Sequence, residues 1–226
     1  MKIVFDPKGV ELDESGFHTI DAKEWYDFYG DVVEELPPGM PTPRGKAVDI
    51  TCFVYANHAG NVITRRSQTG ILIFVQNAPI IWYSKKQNTV ASSSFGSEFV
   101  ALRAARDMIV ALQYKLHMFG LLIRGPASVL CDNQAVVKNN SFPESTISKH
   151  HNAINYHAVR EACAAGIICV GKENGDSNIA DVFTKILSRA KRYRLFSQIT
   201  FSATYGTDGP PRNRTRIDPE IDELMG

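Results

Sequence analysis

The chain has 226 residues, 44% of them apolar, and a formal net charge of +1. That is enough for one sizeable core with appended material. No apolar run approaches the roughly 18 residues that would read as a membrane span, and the acidic start "MKIVFDPKGVELDESG" is not expected to be a secretory signal. The near-neutral total hides a division: residues 1–40 carry 10 acids and 3 bases, residues 41–202 carry 9 acids and 19 bases, and residues 203–226 carry 5 acids and 3 bases. A basic body between acidic ends suits a polyanion such as nucleic acid, or simply a solvated basic surface. Cys52, Cys131, Cys163 and Cys169 form no C-x-x-C pair. They read as reduced thiols of an intracellular protein, in cytoplasm or nucleus.

In chain order, "AKEWYDFYGDVVEEL" suggests a short helix or docking segment. "PPGMPTPRG", Pro37 to Gly45, with four prolines and two glycines, suggests a linker or an extended arm lying on the body. Three strands are predicted next: "VDITCFVYA", "GILIFVQ" and "APIIWYS", the last two joined by a hairpin loop at Gln76–Pro79. From Phe95 the apolar spacing becomes helical, through Phe99, Leu102, Ile109, Leu112 and Leu116, with serines to cap the start and Gly120 to end it. "ASVLCD" reads as a fourth strand, "QAVVKNN" as a short helix and "HHNAINYHAVREACAAG" as a long one. "IICVGKE" reads as a fifth strand and "NIADVFTKIL" as a last helix. Trp82 and Phe95 are expected in the core. This order implies an α/β fold, a five-stranded mixed sheet flanked by helices. The expected division is an acidic segment and Pro-rich linker over 1–45, a domain over 46–200 and a disordered tail over 201–226.

Three acids fall where such a sheet gathers a site: Asp132 closing the fourth strand, Glu98 early in the long helix and Asp181 at the start of the last one. Carboxylates converging there without Cys or His suit Mg²⁺, a hard ion that prefers oxygen. Each also has a structural reading, as a first-turn acid or an N-cap. His150, His151 and His157 have a spacing that suits no standard zinc site.

The motifs "RRSQTGILIFVQNAPIIWYSKKQNTVASSSFGSEFVAL", "CDNQAVVKN", "KHHNAINYHAVRE" and "NIADVFTK" occur in order over roughly residues 44–190. They resemble the RNase H domain of copia-type LTR retrotransposon Pol polyproteins. The resemblance implies an RNase H-like fold. It implies hydrolysis of the RNA strand of RNA–DNA hybrids by two Mg²⁺ ions on four carboxylates, and a reverse transcriptase domain as neighbour or partner. Carried over, it makes Glu98 the second acid, Asp132 the third and Asp181 the fourth, as catalytic and metal-binding residues. The motif for the first acid has the form F-V-D-A-D-H-A-G and matches "FVYANHAG" here, so Tyr55 stands at the first Asp and Asn57 at the second. Tyrosine, with a pKa of about 10, is neutral at pH 7 and far larger than Asp. Asn57 offers a carbonyl oxygen without charge and is at most a partial substitute. Impaired cleavage is therefore expected, in a drifting copy of an element or in a repurposed non-catalytic nucleic-acid or protein interaction module. Arg65, Arg66, Lys85, Lys86, Lys149 and Arg160 are the candidates for hybrid backbone contacts. His150 stands where relatives often carry a lysine, which weakens a phosphate contact there.

Overall fold

A computed structural model describes residues 3–5, 22–147 and 152–202. The centre is a five-stranded sheet of β3 (Ile50–Asn57), β4 (Gln68–Val75), β5 (Ala78–Lys86), β7 (Ala127–Cys131) and β8 (Ile168–Lys172), in the order β5-β4-β3-β7-β8. β3, β4 and β5 form an antiparallel meander, while β7 runs parallel to β3 and β8 parallel to β7. The expected mixed α/β sheet is thus present.

Alternation along β3 explains why it lies at the centre. Ile50, Cys52, Val54 and Ala56 join one core cluster, with Phe99, Leu102, Ile109 and Val159. Phe53 and Tyr55 face a second, smaller cluster with Leu72, Phe74, Ile179 and Ala180. A strand covered on both faces reads as a continuous apolar run, as "ITCFVYA" does. The first cluster is closed by α2 (Ser94–Met118), α3 (Gln134–Ser141) and α4 (Ala153–Ala164). The Ser93 hydroxyl accepts from the Gly96 N–H to cap α2. Gly120, at φ +69°, reverses the chain behind it.

The hairpin is tighter than expected: β5 begins at Ala78, leaving Gln76 and Asn77 to turn, with Gln76 at φ 54°. Pro79 is inside the strand, at the register shift opposite Phe74 on an edge strand, where its missing N–H is tolerated. Trp82 corrects a core expectation. It pairs with Leu72 in register but is 66% exposed, because β5 is the sheet edge and the second cluster does not extend over it. Phe95 does pack beside the core, its ring 4.8 Å from that of Phe99.

The last predicted helix is instead a single 3-10 turn, Ile179–Phe183, followed by α5 (Arg189–Phe196). Thr184 stops the first: its N–H and its hydroxyl both bond the Asp181 carbonyl oxygen. Ser188 starts the second, its hydroxyl accepting from the Lys191 N–H.

Smaller elements were not foreseen. β2 (Arg44–Val48) pairs in parallel with β6 (Leu121–Ile123), and β1 (Ile3–Phe5) pairs with β9 (Thr200–Ser202). The helix expected in the acidic segment is α1 (Ala22–Tyr29), which docks on α4 through buried Trp25. The tail expected from 201 starts too early, since Phe201 and Ser202 belong to β9; residues 203–226 lie outside the described residues.

Candidate active site

Because β3 and β7 are parallel neighbours, with Phe53 opposite Leu130, their C-terminal ends emerge side by side. Tyr55 and Asn57 end one, and Asp132 follows the other. The first turns of α2 pass above and bring in Glu98, whose Oε1 accepts from the Ala56 N–H at 3.3 Å. Tyr55, Asn57, His58, Glu98, Asp132 and Lys172 line an open cavity of about 490 Å³.

Glu98 is 4% exposed, and its Oε2 has no hydrogen-bond partner. Burial, then the charge of Asp132, hold its carboxyl well above the usual range, against the Ala56 N–H. Burial also raises the half-buried Asp132, opposed by the Lys172 ammonium. That ammonium donates to the Asp132 carbonyl oxygen. His58 contributes a buried Nδ1 without a partner.

Asp181 lies near enough for its charge to act on Asp132, but it is paired with cations. It is fully buried, and both oxygens meet cations: Lys185 Nζ lies 2.9 Å from Oδ1 and Lys191 Nζ 3.0 Å from Oδ2. The Thr184 hydroxyl donates to Oδ1 at 3.1 Å. Asn178 fixes the turn to the sheet, its Nδ2 donating to the Val54 carbonyl at 2.9 Å and its Oδ1 accepting from Ala180 N–H. Gly70, the cross-strand partner of Tyr55, makes room for the turn: a Cβ there would lie 2.5 Å from the Ala180 carbonyl oxygen.

Tyr55 fills the space between these groups. Lys185 Nζ donates to its hydroxyl at 3.1 Å and sits 4.8 Å from the ring centroid. Burial pushes the phenol above its ordinary value, against the pull of Lys185, so it is neutral at pH 7. For Lys185, burial works against the charge, but the bonds to Asp181 and Tyr55 outweigh it and the ammonium is held more firmly than usual. Asn57 turns its amide toward the Thr184 carbonyl, at 3.5 Å, and against Gly60.

These donors do not fit a two-ion centre. Two Mg²⁺ ions require several free carboxylate oxygens converging on one point. Glu98 and Asp132 share the cavity, and Asp181 beside them has one ammonium 2.9 Å from Oδ1 and another 3.0 Å from Oδ2. Position 55 supplies a neutral phenol. Among the described residues, no group of three or more His, Cys, Asp or Glu is arranged to hold a metal ion.

The basic candidates divide. Arg65 and Arg66 are exposed in the turn after β3, and Lys85 and Lys86 are exposed at the end of β5. The register sets the two pairs at one end of the sheet edge: Lys86 is opposite Gln68, and the Gln87 N–H bonds the Ser67 carbonyl. Arg160 is a correction. It is 2% exposed and donates to the carbonyls of Asn139, Phe142 and Pro143 and to the Tyr29 hydroxyl, with its guanidinium stacked 4.8 Å from both the Trp25 and Tyr156 rings. Nothing of it is left for phosphate. Lys149, His150 and His151 lie outside the described residues. Gln87 is buried, donating to Thr69 Oγ1 and the Ser97 carbonyl, and Asn133 caps α3.

Sequence reasoning missed Lys172, Lys185 and Lys191. Lys185 was within reach: a lysine four residues after an acid at a helical turn is a standard pairing distance. Lys172 follows only from the β7–β8 register, which sets it opposite Cys131, next to Asp132.

No family model matches the chain. Over 161 residues, 71% of the chain, it is 26% identical to the Retrovirus-related Pol polyprotein from transposon RE1 of Arabidopsis thaliana, covering 11% of that protein. It is 30% identical, also over 161 residues, to the corresponding polyprotein from transposon TNT 1-94 of Nicotiana tabacum, covering 66% of the chain and 12% of the relative. Among solved structures, the N-terminal RNase H domain of a Mycobacterium tuberculosis protein, fused to maltose-binding protein, superposes with a TM-score of 0.46 at 17% identity, over 61% of this chain and 91% of that one. The chain is a homologue of the retrovirus-related Pol polyproteins of copia-type transposons, and it spans about a tenth of their length.

Proposed function

We propose that the chain is a retrotransposon-derived RNase H-like domain that holds RNA–DNA hybrid or duplex and is impaired in cutting the RNA strand. The observation that carries this reading is position 55. A neutral phenol stands at the first acid, and its hydroxyl accepts from a lysine already paired with Asp181. Hydrolysis needs a water activated and aligned on a phosphate, and the carboxylates that remain in the open cavity are Glu98 and Asp132. Asn57 is turned toward Thr184 and adds no charge. Residues 1–45 would then be the connection to a preceding domain, 46–202 the RNase H-like domain and 203–226 a tail.

Hybrid would be held through the edge bearing Arg65, Arg66, Lys85 and Lys86, by charge and without sequence preference. The test is fluorescence anisotropy of a labelled RNA–DNA hybrid across salt concentrations. Affinity is expected to fall steeply with salt. Replacing the four bases with alanine should lower the slope of log affinity against log salt by up to about one unit per lost phosphate contact. Weak, salt-independent binding that ignores the four substitutions would refute the reading.

One observation favours a protein-interaction module as the second reading. While Trp25 anchors α1, its Tyr26 and Phe28 point outward, beside Asp27 and Asp31. A reverse transcriptase domain preceding the chain is the partner such a face would serve.

A further inference from the structure

Asp181 is charge-matched by the chain itself. Lys185 leaves the 3-10 turn four residues later and returns its ammonium to Oδ1, while Lys191 reaches Oδ2 from the first turn of α5. Lys191 is held in addition by Asp176 Oδ1 and the Gly175 carbonyl, both at 3.3 Å. Among the described residues, Lys185 has no such second carboxylate. Its other polar contacts among them are the hydroxyl of Tyr55 at 3.1 Å and the face of the same ring. With a side chain 36% exposed on a flexible four-carbon stem, Lys185 would otherwise be free to turn into solvent.

A divalent ion approaching Asp181 must displace the Lys185 ammonium from Oδ1 and face the Lys191 ammonium 3.0 Å from Oδ2, an oxygen left without a hydrogen bond. Both charges compete for the same lone pairs at short range, where the electrostatic cost is largest. We infer that Tyr55 is a positioning residue that pins Lys185 onto Asp181, making the lysine ammonium the resident cation of this centre and excluding a divalent ion from it. This goes beyond the loss of one carboxylate: the tyrosine stabilises the occupant that replaces the ion. It does not depend on nucleic acid, since a domain that never touched a hybrid would have the same pairing.

The test is lysine side-chain ¹⁵N NMR on the whole chain, with the Lys185 ammonium assigned by its loss in Lys185→Arg. A slowly exchanging Lys185 signal is expected in the natural protein, unmoved by millimolar Mg²⁺. In Tyr55→Leu the Lys185 signal should disappear while that of Lys191 persists. Mn²⁺ affinity, read by electron paramagnetic resonance of the free ion, should then rise at least about tenfold. Tyr55→Phe keeps the ring and covers the case in which the leucine variant does not fold; it should broaden the Lys185 signal without moving that of Lys191. The inference is overturned if natural Lys185 gives no protected signal, if the signal survives loss of Tyr55, or if Mg²⁺ displaces it in the natural protein.

Discussion

Arg160→Met separates a structural arginine from a nucleic-acid contact. Methionine retains much of the stem's volume but removes every donor. Three carbonyl oxygens, of Asn139, Phe142 and Pro143, then lose their guanidinium partners in a place where the side chain was 2% exposed. Each unsatisfied buried acceptor costs about 1–3 kcal/mol, and water entering from the α3–α4 loop would recover part of it. Stacking on Trp25 and Tyr156 adds about 1 kcal/mol. The net loss should be about 3–5 kcal/mol, which for a chain of this size lowers Tm by about 6–20 °C. Urea unfolding followed by tryptophan emission measures it. In a Trp82→Phe background the remaining signal is Trp25, whose ring lies against Arg160, so α1 undocking is read directly. Hybrid affinity of the folded variant should be unchanged. A loss below about 1 kcal/mol, or a hybrid affinity that falls while the fold is intact, would refute this account of Arg160.

Glu98→Gln should stabilise the protein at neutral pH. The folded carboxyl is held well above its ordinary value, so its stabilising contribution is full below about pH 4.3 and is lost as pH rises through the folded value. Stability of the glutamine variant, measured by denaturation from pH 4 to 8, should therefore fall less with pH than that of the natural chain. Gly70→Ala should cost about 1–3 kcal/mol in thermal unfolding, since the added methyl meets the Ala180 carbonyl oxygen and Thr184 Cγ2 at 2.5 and 2.7 Å. Asn178→Ala should cost about 2 kcal/mol in the same assay, because a buried amide bridging Val54 and the cap of the 3-10 turn is lost.

Much of the fold was legible because the signals were local. The alternation of "ITCFVYA" and the helical spacing from Phe95 to Leu116 each reflect one element burying its own face. The 3-10 turn was misread as a full helix because what stops it, Thr184 bonding back to Asp181, is a side-chain choice that periodicity does not register. β2 and β6 are short and, among the described residues, pair only with each other, so no amphipathic pattern marks them. At the site, Glu98 and Asp132 do share one cavity, as strand ends and helix starts suggested. The pairing of Asp181 with Lys185 and Lys191 was not foreseen, since the return of Lys191 from α5 is set by tertiary packing. Arg160 failed for the same reason. Its inward placement is set by the carbonyls of Asn139, Phe142 and Pro143 and by the docking of Trp25 and Tyr29, none of which the helix's own sequence registers.

The central claim, a centre disabled at its first carboxylate, is tested most directly by cleavage of a labelled RNA–DNA hybrid in Mg²⁺ and in Mn²⁺, comparing the natural chain with Tyr55→Asp, Asn57→Asp. Cleavage by the double variant and little or none by the natural chain is the predicted result. Equal cleavage by both would contradict it, showing that Tyr55 does not impair the site.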